Sequence, residues 1–359
     1  MAFNIYDTHT LLRSVELLPQ VRSFLLDRYF PTNEATDIFA TDDVLVEYRE
    51  GSKKLAPFVV PRKGGMAIMR DGHHMERYTP PYIAPKRPLT ADDLRKRGFG
   101  EALYSRLTPE QRQGVLIMKD ADDMRDMIKR RKEAMAAETI FTNGCVMRHY
   151  IDDMGRFEDK EIHFYAGAAN PAVYAPAQMW NTTVESGKQL LADVALMIFM
   201  LTSRGLPVTE VLCAPDVADV ILANEWIIKL LDVKNYNIGG VDPETLPSGA
   251  ARFARLNIKG RMIDFLSYEE TYEDENGQIR QYIPAGHIAV GAPAAGRTLY
   301  GAVTQVEQVD GEFHTYTGRY VPKYISDATS NTRELILTSC PLLIPNNKNC
   351  FITARVLGQ

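Results

Sequence analysis

The sequence is short of the features that usually announce chemistry. Only four cysteines occur, Cys145, Cys213, Cys340 and Cys350. None forms a C-x-x-C pair, and no histidine stands near them at zinc-finger spacing, so free thiols in a reducing compartment are expected rather than a zinc module or a disulfide framework. There is no excess of positive charge: the formal net charge is −5, which argues against a surface that grips nucleic acid but not against one that encloses it. The longest apolar run, LLADVALMIFML at 190–201, is interrupted by Asp193 and falls short of the roughly 20 residues a bilayer span needs. A buried helix is expected there, and no membrane association. The opening MAFNIYDTHT lacks the basic start and apolar stretch of a signal peptide. There is no Walker loop, no G-x-S-x-G elbow, no G-x-G-x-x-G after a strand and no H-E-x-x-H helix. No internal repeat or low-complexity tract interrupts the 359 residues.

What is present is a mixture of helix and strand patterns without regular βαβ alternation, which predicts an α+β fold. Residues 8–30 carry two helical patterns divided by Pro19. VLVEYR (44–49) and LAPFVVP (55–61) read as a hairpin around EGSKK (50–54). Pro57 and Pro61 would confine the second strand to an edge. Such a hairpin has too little apolar surface for a core of its own and needs outside support. Pro80, Pro81, Pro85 and Pro88 then bias the chain to an extended form, expected to act as a stiff strut.

The strongest element is a helix over residues 109–140. Thr108 and Gln111 have capping-box spacing, Pro109 suits the first turn, and Asn143-Gly144 is a stop. Ile117, Ala121, Met124, Ile128 and Met135 make one apolar stripe along roughly 48 Å. Asp126 and Arg130 are spaced for an i,i+4 ion pair, and KRRK (129–132) reads as a solvated or subunit-facing side. Further on, strands flank a DMGR turn within 145–165. A helix is expected at 184–204, a strand at 209–215, and a helix ending near Asp232. RMIDFLSYEETY (261–272) and QIRQYIPAGHIAVGA (278–292) read as a hairpin turning at Asn276-Gly277, and two more strands close the chain.

Candidate chemistry is thin. His73, His74 and Glu76 could be drawn as a metal-dependent hydrolase site. However, adjacent histidines diverge on any regular element, and Gly72 with the following prolines disfavours a helix. Asp122-Asp123 and Asp152-Asp153 are expected to be solvated carboxylates rather than acid–base dyads. No catalytic residue, metal or cofactor is expected.

FLLDRYFP (24–31), RKGG (62–65), YTPPYIAPKRPL (78–89), ENGQIRQYIPAGHIAVG (275–291) and SCPLLIPNNKNCFITARVL (339–357) occur in an order that resembles the major capsid proteins of tailed bacteriophages. The resemblance is to the family of the phage lambda major head protein, also called major capsid protein E, and it covers nearly the whole chain. It implies an N-terminal arm (1–40), an extended loop (41–85), a peripheral domain with a spine helix (86–182 and 321–359) and an axial domain (183–320). It also implies that the loop lies over an adjacent copy, which would supply the hairpin's missing support. Glu50, Gly51, Ser52, Lys53 and Lys54 at the loop, with Asp126 and Arg130 on the helix, are the expected subunit contacts. The implied function is self-assembly of hexamers and pentamers into an icosahedral shell that encloses double-stranded DNA without sequence-specific binding. Scaffold, portal and decoration proteins are the implied partners, and the virion is the destination of a protein made in the host bacterial cytoplasm. An encapsulin-like compartment shell and a monomeric binding module are the rival readings. A covalent link from Lys53 or Lys54 to Asn346, Asn347 or Asn349 occurs in another branch of this fold and is not expected here.

Overall fold

The computed structural model describes residues 23–48, 74–90, 93, 108–150, 157–165, 172–232, 239–240, 244–308, 311–327 and 332–358. Its organising element is a long helix, Pro109–Thr142, labelled α2 because a one-turn helix, α1 (Leu25–Tyr29), precedes it. The capping box forms as the sequence predicts: Gln111 N–H donates to the Thr108 hydroxyl at 3.3 Å, and Thr108 N–H donates to the Gln111 side chain at 3.1 Å. At the other end Asn143 takes a left-handed conformation (φ 58°), and its N–H reaches the Thr139 carbonyl. Left-handed Asn is a common helix stop because its short polar side chain tolerates that conformation.

The apolar stripe is buried at every predicted position. It serves two cores. Ile117, Ala121, Met124 and Ile128 pack on Leu335 and Leu337 in a small separate cluster. Ala134, Met135, Ala136, Ala137 and Ile140 enter the main core. A single rigid rod therefore joins a peripheral layer to the body.

That layer is a three-stranded antiparallel sheet of Val321–Asp327, Thr332–Thr338 and Lys86–Thr90, in that order. Lys86–Thr90 is an edge strand, which is where Pro88 costs no ladder bond. The proline-rich segment before it is not a free-standing strut. Ile83 and Ser339 exchange two backbone hydrogen bonds of 2.9 Å, so the segment is extended but pinned to the body. Arg87 adds ion pairs of 2.9 Å to both Asp120 and Asp123 on α2.

The main core lies under an eight-stranded mixed sheet. Its principal path runs Ala172–Tyr174, Ile352–Arg355, His287–Gly291, Glu210–Cys213, Arg261–Tyr268, Ala250–Ile258 and Gly239–Gly240, with Glu244–Thr245 paired to Ala250–Ile258. Helices α3 (Val184–Ser203), α4 (Pro215–Leu222) and α5 (Glu225–Asp232) accompany it. The acid that interrupts the apolar run is buried and satisfied: Asp193 on α3 accepts from the Tyr174 hydroxyl (2.7 Å), Gln189 (2.7 Å) and the Trp180 indole N–H (2.9 Å). The four thiols are free and buried.

Several expectations are corrected. Val44–Tyr48 pairs with His74–Tyr78, while the expected partner strand 55–61 lies outside the described residues. Residues 261–268 and 287–291 both enter the main sheet on either side of Glu210–Cys213, so the hairpin at Asn276-Gly277 is only Thr271–Glu273 with Ile279–Gln281. In its turn Gly277 alone has positive φ (74°), because Asp274 N–H and C=O close a longer loop than a two-residue turn. The first of the two closing strands, expected over ELILTSCPLLI (334–344), breaks at Ser339-Cys340 into strands of two sheets. Within KRRK, Lys129 and Lys132 are buried rather than solvated. Asp126 lies 3.6 Å from the Arg125 guanidinium, which also meets Asp122 at 2.5 Å, instead of pairing with Arg130, which lines a cavity with Tyr272 and Arg280.

Candidate assembly surface

The two-stranded ribbon is the place where the chain leaves its own core. Register pairs Val44 with Tyr78, Val46 with Glu76 and Tyr48 with His74. Side chains alternate across a strand, so one face carries Val44, Val46 and Tyr78. This face packs on the body: Val44 and Val46 are buried, and the Tyr78 ring meets Phe164 edge-on at 5.3 Å. The Tyr78 hydroxyl accepts the backbone N–H of Tyr165 and donates to Glu76. The ribbon's root therefore has support from its own chain, contrary to the expectation that the hairpin as a whole lacks it. The opposite face presents Leu45 (53% exposed) and Met75 (54% exposed), beside the ion pair of Arg77 with Asp43. The two lie diagonally across the strands, Leu45 opposite Arg77 and Met75 opposite Glu47, and leave apolar surface open on that face.

A groove runs beside the exposed side of α2. Two cavities of about 630 and 410 Å³ share Ile83, Arg131, Ala134, Glu138, Val146 and Glu275 in their walls. Arg131 bridges the groove to Glu275 on the Asn276-Gly277 hairpin. Met127 and Val146 are half exposed along it, and Arg130 lines the larger cavity. Cys145 lies in the wall, where burial and the neighbouring Glu138 raise its pKa far above the ordinary thiol value, so it stays a thiol at neutral pH. A second apolar patch stands on α3, where Leu196 and Phe199 (65% exposed) sit one turn apart.

The remaining predicted positions divide. Glu50, Gly51, Ser52, Lys53, Lys54, His73, Asp152 and Asp153 lie outside the described residues. His74 opens the second ribbon strand. Asp122 pairs with Arg125 and Asp123 with Arg87, so neither belongs to an acid–base dyad. Asn346 donates to the Ala294 carbonyl at 3.0 Å. Among the described residues no group of His, Cys, Asp and Glu is disposed to hold a metal. Among them, too, no helix is long and apolar enough to cross a membrane.

Sequence reasoning did not find the groove, because its walls come from residues 83, 131, 146 and 275, which only the fold brings together. It also missed the buried end of α1, where Glu133 accepts backbone N–H groups from Phe24, Leu25 and Leu26.

The sequence model of a family described as Phage major capsid protein E matches residues 7–356. The chain is 22% identical over 356 residues to a prophage-derived major head protein of Escherichia coli strain CFT073, covering 98% of this chain and 99% of that one. The same figures hold for the major capsid protein of Enterobacteria phage P21. A crystal structure of a prophage capsid protein from Escherichia coli CFT073 superimposes with a TM-score of 0.65 at 16% identity, over 98% of this chain and 99% of that chain.

Proposed function

The chain belongs to the phage major capsid protein E family, and on that premise we propose that it builds the head of a phage or prophage. Its role is structural rather than catalytic. Copies associate as hexamers and pentamers that close into an icosahedral shell around double-stranded DNA. Residues 1–40 act as the arm, 41–85 as the extended loop, 86–182 with 321–359 as the peripheral domain and 183–320 as the axial domain. Glu50–Lys54 and Arg130 are contacts between copies.

The ribbon carries this reading. Its inner face is secured by Val44, Val46 and Tyr78, while its outer face leaves Leu45 and Met75 to water. A second copy of the chain covers that face, and the segment 49–73 reaches onto it. Contacts of this head-to-tail kind generate closed rings when the rotation closes. Each is weak alone, and a ring of them holds because later contacts form at high effective concentration. The net charge of −5 suits a wall that holds DNA without gripping it. Scaffold, portal and decoration proteins are the expected further partners, with synthesis in the bacterial host cytoplasm before incorporation into the virion.

The test is the double variant Leu45→Lys with Met75→Lys. Both side chains are exposed, so the subunit keeps its thermal melt while particles disappear from sedimentation profiles. Wild-type particle yields from the folded double variant would refute the ribbon's role.

A further inference from the structure

Where α1 docks on α2, the two helices and residues 319–320 enclose a cavity of about 210 Å³. Four cationic side chains line it: Arg125, Lys129, Lys132 and Arg319. Arg125, Lys129 and Lys132 stand at i, i+4 and i+7 on α2, hence on one face. Asp27 is the one carboxylate in the lining, 3.7 Å from Lys129 and itself half exposed.

The other acids nearby are engaged away from the centre. Asp122 and Asp126 hold Arg125, and Glu34 meets Arg319 at 3.1 Å. Lys132 is 2% exposed, and its ammonium is bonded by neutral groups, the hydroxyls of Tyr320 (2.8 Å) and Tyr300 (3.2 Å). It also lies 4.5 Å from the centre of the Tyr320 ring. Among the described residues, Nε of Arg319 is buried with no acceptor. Buried charge is costly unless it is matched by opposite charge. In the cavity lining itself four cations face the single carboxylate of Asp27, in a protein whose net charge is negative.

We propose that this cavity binds a multiply charged tetrahedral oxyanion of the phosphate class, held by Lys129, Lys132 and Arg319 with Arg125 behind them. The space is smaller than the roughly 300 Å³ at which pockets for drug-sized ligands begin, so it suits the bare ion rather than a nucleotide. The ion supplies the acceptor that Arg319 Nε lacks and a negative charge for the Lys132 ammonium, whose hydrogen-bond partners are neutral hydroxyls. Burial depresses the pKa of Lys129 and of Lys132, and a bound anion would restore both. Because the walls come from residues 26–32, from α2 and from 319–320, the ion staples the arm's end to the long helix and to the peripheral sheet. None of this depends on the assembly reading.

The test is calorimetric titration of the full chain with inorganic phosphate, against sodium chloride at matched ionic strength. The expected result is saturable binding at one site per chain, selective over chloride. Affinity falls about tenfold or more in Lys129→Gln and in Arg319→Gln, each removing one charge-assisted contact, while Lys129→Arg keeps most of it. Cooperative melts of each variant establish that it is folded. A short single-stranded oligonucleotide should not compete at equal phosphate concentration. Heats for phosphate equal to those for chloride would overturn the proposal even if every variant failed to fold. So would unchanged affinity in both folded Gln variants, or competition by the oligonucleotide.

Discussion

The side chain of Glu133, about three-quarters of the way along α2, accepts the backbone N–H of Leu25 at 2.7 Å across 108 residues of sequence. The same carboxylate takes Phe24 N–H at 3.0 Å and Leu26 N–H at 2.9 Å. A helix leaves its first N–H groups without internal partners, and a side chain usually caps them locally. Phe24, at the cap position of α1, has no capping side chain, so a residue from a distant helix does the work. Replacing Glu133 with Ala strands three buried donors and costs about 3–5 kcal/mol of stability in denaturant titration. Protease sensitivity at the arm should rise before the rest of the chain opens.

The same group gives a pH signature. Burial raises the Glu133 pKa, opposed by its backbone donors and the Tyr268 hydroxyl, and burial also raises Glu138 and Glu210. A carboxyl raised in the folded state binds more protons folded than unfolded. Its stabilising contribution is full below the ordinary glutamate range, about pH 4.3, and is lost as pH rises through the folded value. Asp43 is lowered by Arg77 and Thr79, so its opposite effect appears as pH falls below the ordinary aspartate range, about pH 3.9. The slope of stability against pH above that point should flatten in Glu133→Gln. An identical slope in the variant would assign the effect elsewhere.

Met124 is fully buried against the peripheral cluster, so Met124→Ala should cost about 2–5 kcal/mol. Met124→Asp places an unpaired charge there and should abolish the cooperative melt. A wild-type melt for the Asp variant would show that the small core does not hold the sheet to α2.

Asp193→Ala leaves the Tyr174, Gln189 and Trp180 donors without their acceptor. A loss of about 3–5 kcal/mol is expected, with a red shift of tryptophan fluorescence as the 172–183 segment loosens from α3. Unchanged emission at native conditions would show that apolar packing alone holds Trp180.

Deletion of Glu50–Lys54 should leave the melting temperature within the range of surface changes while removing particles. Intact particles from the deletion would count against these residues as contacts between copies.

How much of this was readable beforehand varied with the range of the interactions. The long helix was legible because its signals are local: Thr108 with Gln111, Pro109, the stripe and Asn143 all act within one or two turns. The turn at Gly277 was placed correctly for the same reason, although the strands beyond it were over-extended. The ribbon was half legible. VLVEY has clear strand character, but its partner HMERY has few β-branched or aromatic residues and is chosen by the docking of Tyr78 on Phe164 and Tyr165. Lys129 and Lys132 looked solvated because composition suggests it; Tyr300 and Tyr320, which bury and bond Lys132, are more than 160 residues away. A signal did exist, since Arg125, Lys129 and Lys132 repeat at helical spacing beside the apolar stripe. Of the candidate assembly surface, the expectation of an unsupported hairpin failed at the ribbon's root, where Tyr78 docks on residues 164–165 far along the chain, and the groove was not legible, having no sequence-local pattern.

Self-association through the 49–73 loop is open to a site-specific photo-crosslinker at Lys53, followed by denaturing electrophoresis of the full chain. The expected outcome is a ladder of covalent multimers, removed by Leu45→Lys with Met75→Lys. Cross-links confined to single chains, from a protein that stays a lone subunit at high concentration, would contradict a shell built by this loop.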